Sequence, residues 1–95
     1  MRLEKLRQLI LYYRRYFEKQ GVLKQEFSGI QYDAYINDKT LLAHCHWMLD
    51  RMEILTNGDK EAELKAHRWL GFIQGCLASQ QRFTINELKE QSKSS

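Results

Sequence analysis

Five side chains of this 95-residue chain carry metal-binding chemistry: His44, Cys45, His46, His67 and Cys76. Imidazole and thiolate are the usual zinc donors, and a structural zinc site needs four of them to converge. The spacing works against convergence. His44 and His46, two positions apart on a helix, point about 200° away from each other, and neither cysteine has a C-x-x-C partner. The pattern reads instead as two buried thiols behaving as small hydrophobes and three histidines on helix surfaces. No metal, no cofactor and, in a reducing cytoplasm, no disulfide is expected. Catalysis has no firmer foothold. The chain offers no paired carboxylates, no nucleophile beside a base and no phosphate-cradling glycine loop, since its glycines fall in a helix interior or at turns. The expectation is a protein that is not an enzyme.

Recognition chemistry is better represented. Arg7, Tyr12, Arg14, Arg15 and Tyr16 gather on the first helical segment, and His44, Trp47 and Arg51 recur at helical spacing on the second. Tyr, Trp and Arg combine large contact area with directional hydrogen bonds and dominate interface hot spots. The same arginines could meet phosphates while the tyrosines stack on bases, so a protein and a nucleic acid are both admissible partners, and a homodimer through the same surfaces is equally permitted. The plainer alternative for the tyrosines is the rim of a core.

These residues must be carried by helices. Leu3, Leu6, Ile10, Tyr13 and Phe17 recur with 3,4 spacing and predict a helix over about 2–20, widened by Leu9, Tyr12 and Tyr16 and stopped by Gly21. A second helix over about 38–56 starts at an Asn37 cap and carries Leu41, Leu42, Cys45, Met48, Leu49, Met52 and Leu55. Asn57-Gly58 then forces a tight return, so a third helix over about 59–79 packs back as an antiparallel hairpin. Its stripe is Ala62, Ala66, Trp69, Ile73, Cys76 and Leu77. Beside it Gly71, Gly75 and Ala78 form a small-residue stripe. A helical glycine costs about 0.5 to 1 kcal/mol relative to alanine, which predicts that a helix, or a ring such as Trp47 or Tyr13, packs on the bare backbone. Replacing either glycine by leucine should then cost about 1 to 3 kcal/mol through overpacking. Thr84 and Glu87 form a capping box for a short helix over about 85–91, with Phe83 and Leu88 as its staple, and residues 92–95 read as a polar tail.

Residues 22–36 are less regular. Ile30, Tyr32, Ala34 and Ile36 alternate as a strand would, but a lone strand has no sheet to join. The segment reads as an ordered connection that lays Phe27, Ile30, Tyr32 and Tyr35 across the bundle with a turn at Ser28-Gly29, or one that pairs with its twin in a dimer.

Length and composition place all of this in one domain, residues 1–91. The 43% hydrophobic and 28% charged residues lie near globular averages, and no proline interrupts the helices. No apolar run approaches the roughly 20 residues of a membrane span, and the N-terminus has no signal-peptide pattern, so a soluble intracellular protein without membrane contact is expected. The net charge of +3 is uneven: residues 1–24 hold seven Lys/Arg against two Glu, and the remainder is slightly acidic. The basic end is the one feature of the charge distribution that points to an anionic partner.

The segments LLAHCHWMLDRME, KAHRWLGFIQGCL and FTINELKEQS, within residues 41–92, resemble a group of small uncharacterised helical proteins of bacteriophages and prophages. The most distinctive stretch is Arg68 to Gly75. The resemblance implies an accessory protein working in the cytoplasm of a bacterial host by binding a host protein, including nucleases and other defence machinery, or by regulating phage genes. The expectation is therefore an all-α, non-enzymatic host-protein binder, with a small nucleic-acid-binding or transcription-regulating protein using the first helix as the alternative.

Overall fold

The computed structural model describes residues 2–27 and 35–93. They form four helices, α1 (Leu3–Lys19), α2 (Asp38–Leu55), α3 (Lys60–Ser79) and α4 (Ile85–Ser92). No strand occurs among the described residues. Helices α2 and α3 pack as the expected hairpin, α1 lies mainly against α2, and α4 closes the bundle by touching both α1 and α3.

Local chemistry explains where each helix begins and ends. The Asn37 and Asp59 carboxamide and carboxylate oxygens accept from the Thr40 and Ala62 backbone N–H groups at 2.8 and 2.9 Å, satisfying donors that a helix start leaves open. Thr84 and Glu87 complete the reciprocal capping box. Gly21 ends α1 at φ +71°, with Val22 N–H bonded to Phe17 O and Gly21 N–H to Glu18 O. Helix α3 ends in the same double bond, Arg82 N–H to Leu77 O and Gln81 N–H to Ala78 O, but there the left-handed residue is Gln81 at φ +58°.

The core is one cluster drawn from every helix: Leu6, Leu9, Ile10, Tyr13 and Phe17 of α1, Leu42, Cys45, Met48, Leu49 and Met52 of α2, Ala66, Leu70, Ile73, Cys76 and Leu77 of α3, and Leu88 of α4. Leu70 takes a central place that the predicted stripe omitted, while Trp69 is only partly buried. Among the described residues no helix is long and apolar enough to cross a membrane.

Expectations are overturned at four places: the two glycines of α3, His46, Ser92 and, in the connection after α1, Tyr35. Gly71 and Gly75 are exposed, and a Cβ added at either would meet nothing within 4 Å; no ring or helix packs on them. At 100° per residue both lie nearly opposite Ile73, on a side shared with exposed Leu64 and Arg68. Among the described glycines, the one under steric pressure is Gly58, where a Cβ would lie 2.7 Å from the Ala62 Cβ. His46 is no surface histidine: it is 4% exposed and packs 5.4 Å from the Phe17 ring. Ser92 belongs to α4 rather than to a tail, since its hydroxyl accepts from Gln74 Nε2 at 2.8 Å.

The connection after α1 is ordered as far as it is described. Gln25 N–H bonds Ala43 O at 3.1 Å, and Phe27 is buried. Tyr35, by contrast, is fully exposed and does not lie on the bundle. Ile30, Tyr32, Ala34 and the Ser28-Gly29 turn lie outside the described residues.

Candidate functional site

Seven of the eight residues singled out for recognition fall into three situations, and Arg51 stands apart from them. Arg7, exposed, and Arg14, half-buried, are both tied to α2 and its C-terminal end. The Arg7 guanidinium donates to Thr56 O at 3.1 Å and Asn57 Oδ1 at 3.2 Å. It thereby supplies positive charge at the carbonyl end of α2, whose own last turn holds no basic residue. Arg14 donates from Nη2 to Asp50 Oδ1 at 3.0 Å and Glu53 Oε2 at 2.6 Å, and Lys24 adds a contact to Asp50 Oδ2 at 3.1 Å. Burial alone would raise the Asp50 carboxyl, but Lys24 and Arg14 outweigh it and hold it below its ordinary value. This ion cluster fastens α1 to α2.

His44 and Trp47 are partly built into the fold. The His44 ring stacks on Trp47 at 5.3 Å with planes 29° apart, and Trp47 lies 6.4 Å from Trp69 across the α2–α3 seam. The Lys65 ammonium sits 5.3 Å from the Trp69 ring. His44 Nδ1 accepts from the Phe27 backbone N–H at 2.9 Å, and His46 Nδ1 donates to Val22 O at 3.0 Å. The two neighbouring histidines thus hold down opposite ends of the 22–27 segment. The His46 Nε2 is left buried with no hydrogen-bond partner. Arg51 is exposed.

Tyr12, Arg15 and Tyr16 remain together on the outer side of α1. With Gln8, Leu11 and Lys19 they line one shallow concavity. Leu11 and Tyr12, 42% and 48% exposed, give it an apolar floor, and the cations Arg15 and Lys19 border it. His44, Trp47 and Arg51 do not line it, so the structure does not join the two predicted surfaces into one concavity.

The rings of this face are braced from behind. Tyr12 meets Tyr13 edge to face at 5.5 Å, and Tyr16 packs on Phe17 at 5.7 Å and Phe83 at 4.8 Å. Tyr13 is fully buried; its hydroxyl donates to Gln91 Oε1 at 2.6 Å and accepts from Gln74 Nε2 at 3.1 Å. Burial pushes its phenol pKa up, with the Gln74 hydrogen bond opposing. Gln74, Gln91 and Ser92 were not singled out in the sequence, and at separations of 61 and 78 residues from Tyr13 no local pattern could pair the glutamines with it.

Among the described residues no three His, Cys, Asp or Glu side chains come together as a metal-ion site. No protein-family model, curated protein or solved structure matches the chain.

Proposed function

We propose that the chain is a protein-binding module that docks through the outer face of α1, with Tyr12 and Leu11 entering the partner and Arg15 and Lys19 pairing with carboxylates around them. The observation that carries the reading is the cluster of exposed Leu11, Tyr12, Arg15 and Lys19 with half-buried Tyr16 on one concavity, its rings braced from behind. Rigid aromatic anchors lose little side-chain freedom on binding, which is why such rings concentrate at hot spots. The resemblance to phage and prophage proteins supplies the class of partner: a protein of a bacterial host, a nuclease or defence factor whose activity the docked module would block.

A protein partner is favoured over a nucleic acid by where the cations lie. Of the seven basic residues in 1–24, Arg7, Arg14 and Lys24 are engaged within the fold, and Arg15 and Lys19 are the two on the concavity. A phosphate-binding surface draws its affinity from many cations at once. Two beside exposed leucine and tyrosine suit a mixed apolar and acidic protein surface better.

The test is affinity capture from bacterial lysate with wild type, Tyr12→Ala and Arg15→Glu, followed by binding measurements on the purified partner. Loss of the same partner in both variants supports the reading. Unchanged partner profiles remove α1 from it, and a salt-sensitive gel shift abolished by Arg15→Glu would replace it with the nucleic-acid alternative.

A further inference from the structure

The outer face of α1 carries its own complement. Counted at about 100° per residue, Glu4, Gln8, Leu11, Tyr12, Arg15 and Lys19 all fall within about 50° of one line along the helix, and all are exposed. Their order is symmetric about the level midway between Leu11 and Tyr12. Glu4 lies about 11 Å to one side of that level and Lys19 about 11 Å to the other, while Gln8 and Arg15 stand about 5 Å away on either side. The margin of the face repeats the rule, since half-buried Lys5 and exposed Glu18 are also equidistant from it and opposite in charge. The bundle itself does not use these charges: among the described residues no ion pair engages Glu4, Lys5, Arg15, Glu18 or Lys19.

We propose that the protein pairs with a second copy of itself through this face, the two α1 helices lying antiparallel about a two-fold axis at the level between Leu11 and Tyr12. In a two-fold interface, if one residue meets another, the second meets the first in return. Reversing one helix brings Glu4 to the height of Lys19 of the second copy, and Lys19 to the height of its Glu4, so the pair forms twice. Gln8 and Arg15 meet in the same way, as a side-chain carbonyl acceptor and a guanidinium donor. At the centre Leu11 and Tyr12, 42% and 48% exposed, lie against their own counterparts and withdraw apolar surface from water. A parallel pair would instead set Glu4 beside Glu4 and Lys19 beside Lys19, so the charges select the antiparallel order. The contact is small, because the eight side chains named compare with roughly 20 to 30 per side in a standard interface. It is therefore reversible, with a dissociation constant on the order of 1 to 100 μM. A protein docking on the same face must displace the second copy; that consequence rests on the function proposed above, whereas the dimer does not.

Sedimentation equilibrium on the purified protein, from about 1 μM to about 1 mM, reads the pairing without any other partner. Wild type should pass from monomer to dimer across that range. Glu4→Lys and Lys19→Glu each set like charges together twice per dimer, and each should raise the dissociation constant about tenfold or more. Mixed in equal amounts, the two variants should pair with each other at near wild-type strength, because each supplies the charge that the other lacks. The double variant Glu4→Lys/Lys19→Glu should pair with itself again. Circular dichroism confirms that each variant is folded. Wild type that stays monomeric throughout would overturn the proposal and leave the docking reading standing. A dimer that the single changes do not weaken, as one built on exposed Leu64 and Phe72 of α3 would be, or single variants whose mixture does not pair, would overturn it too. A lysate capture that fails touches none of these results.

Discussion

Tyr13 shows how much one hydroxyl can hold. Its ring belongs to the core stripe of α1, and its oxygen joins α1 to both α3 and α4 through Gln74 and Gln91. Tyr13→Phe keeps the ring and leaves the two glutamines to find other partners in a half-buried setting. Equilibrium unfolding in urea should show a loss of about 1 kcal/mol. His44 offers a second test, one of pH. Burial lowers its pKa, the Glu26 carboxylate opposing in part. A histidine whose folded pKa is depressed contributes its full stability above the unfolded value of about 6.5, and that contribution fades as pH falls towards the folded one. Protonation also occupies the Nδ1 lone pair that accepts from Phe27. Between pH 7 and pH 5 the Phe27 amide should therefore lose protection from hydrogen exchange, once intrinsic rates are corrected for, and His44→Gln should remove that pH dependence.

At the scale of elements, what could be read from the chain was chemistry confined to neighbouring residues. Asn37, the Thr84/Glu87 box and the Gly21 stop act over two to five residues, and all are where the sequence placed them. The end of α3 was harder to read because Gln81 occupies a position that glycine usually fills. A side chain in the left-handed region costs about 1 to 2 kcal/mol, so Gln81→Gly should raise the thermal midpoint, with a gain of about 1 kcal/mol in unfolding free energy. Gly71 and Gly75 were misread for a different reason. Their spacing of two residues on either side of buried Ile73 turns them away from the core, so their bare backbone has no neighbour to admit. Open space at both positions means that Gly71→Ala and Gly75→Ala should each stabilise the protein by about 0.5 to 1 kcal/mol through helix propensity alone. Denaturant midpoints that fell instead would show that something outside the chain's own core needs the bare backbone.

For the molecule as a whole, the distinction that matters is between cations that hold the bundle together and cations left exposed on its surface. Arginine types and spacing do not make that distinction, because the acids that claim Arg14 lie 36 and 39 residues away. Of the candidate site, then, the tyrosines and Arg15 were legible in the sequence. Arg7 and Arg14 were not, since their roles appear only when α2 is laid against α1. Arg14→Ala should lower thermal stability by about 1 kcal/mol, a deficit that shrinks in high salt as the ion cluster is screened in wild type too. Arg15→Ala should leave the melting curve within error of wild type.

The clamp on Tyr13 has one more consequence, concerning the order in which the chain is made. The first helix leaves the ribosome well ahead of Gln91, which follows Tyr13 by 78 residues and helps to fix the back of the aromatic row. A nascent or prematurely terminated product would therefore display the tyrosines without the brace behind them. On the proposed reading, competence to bind arrives only once Gln91 has been made, so chains that stop short of it would compete poorly for the same target.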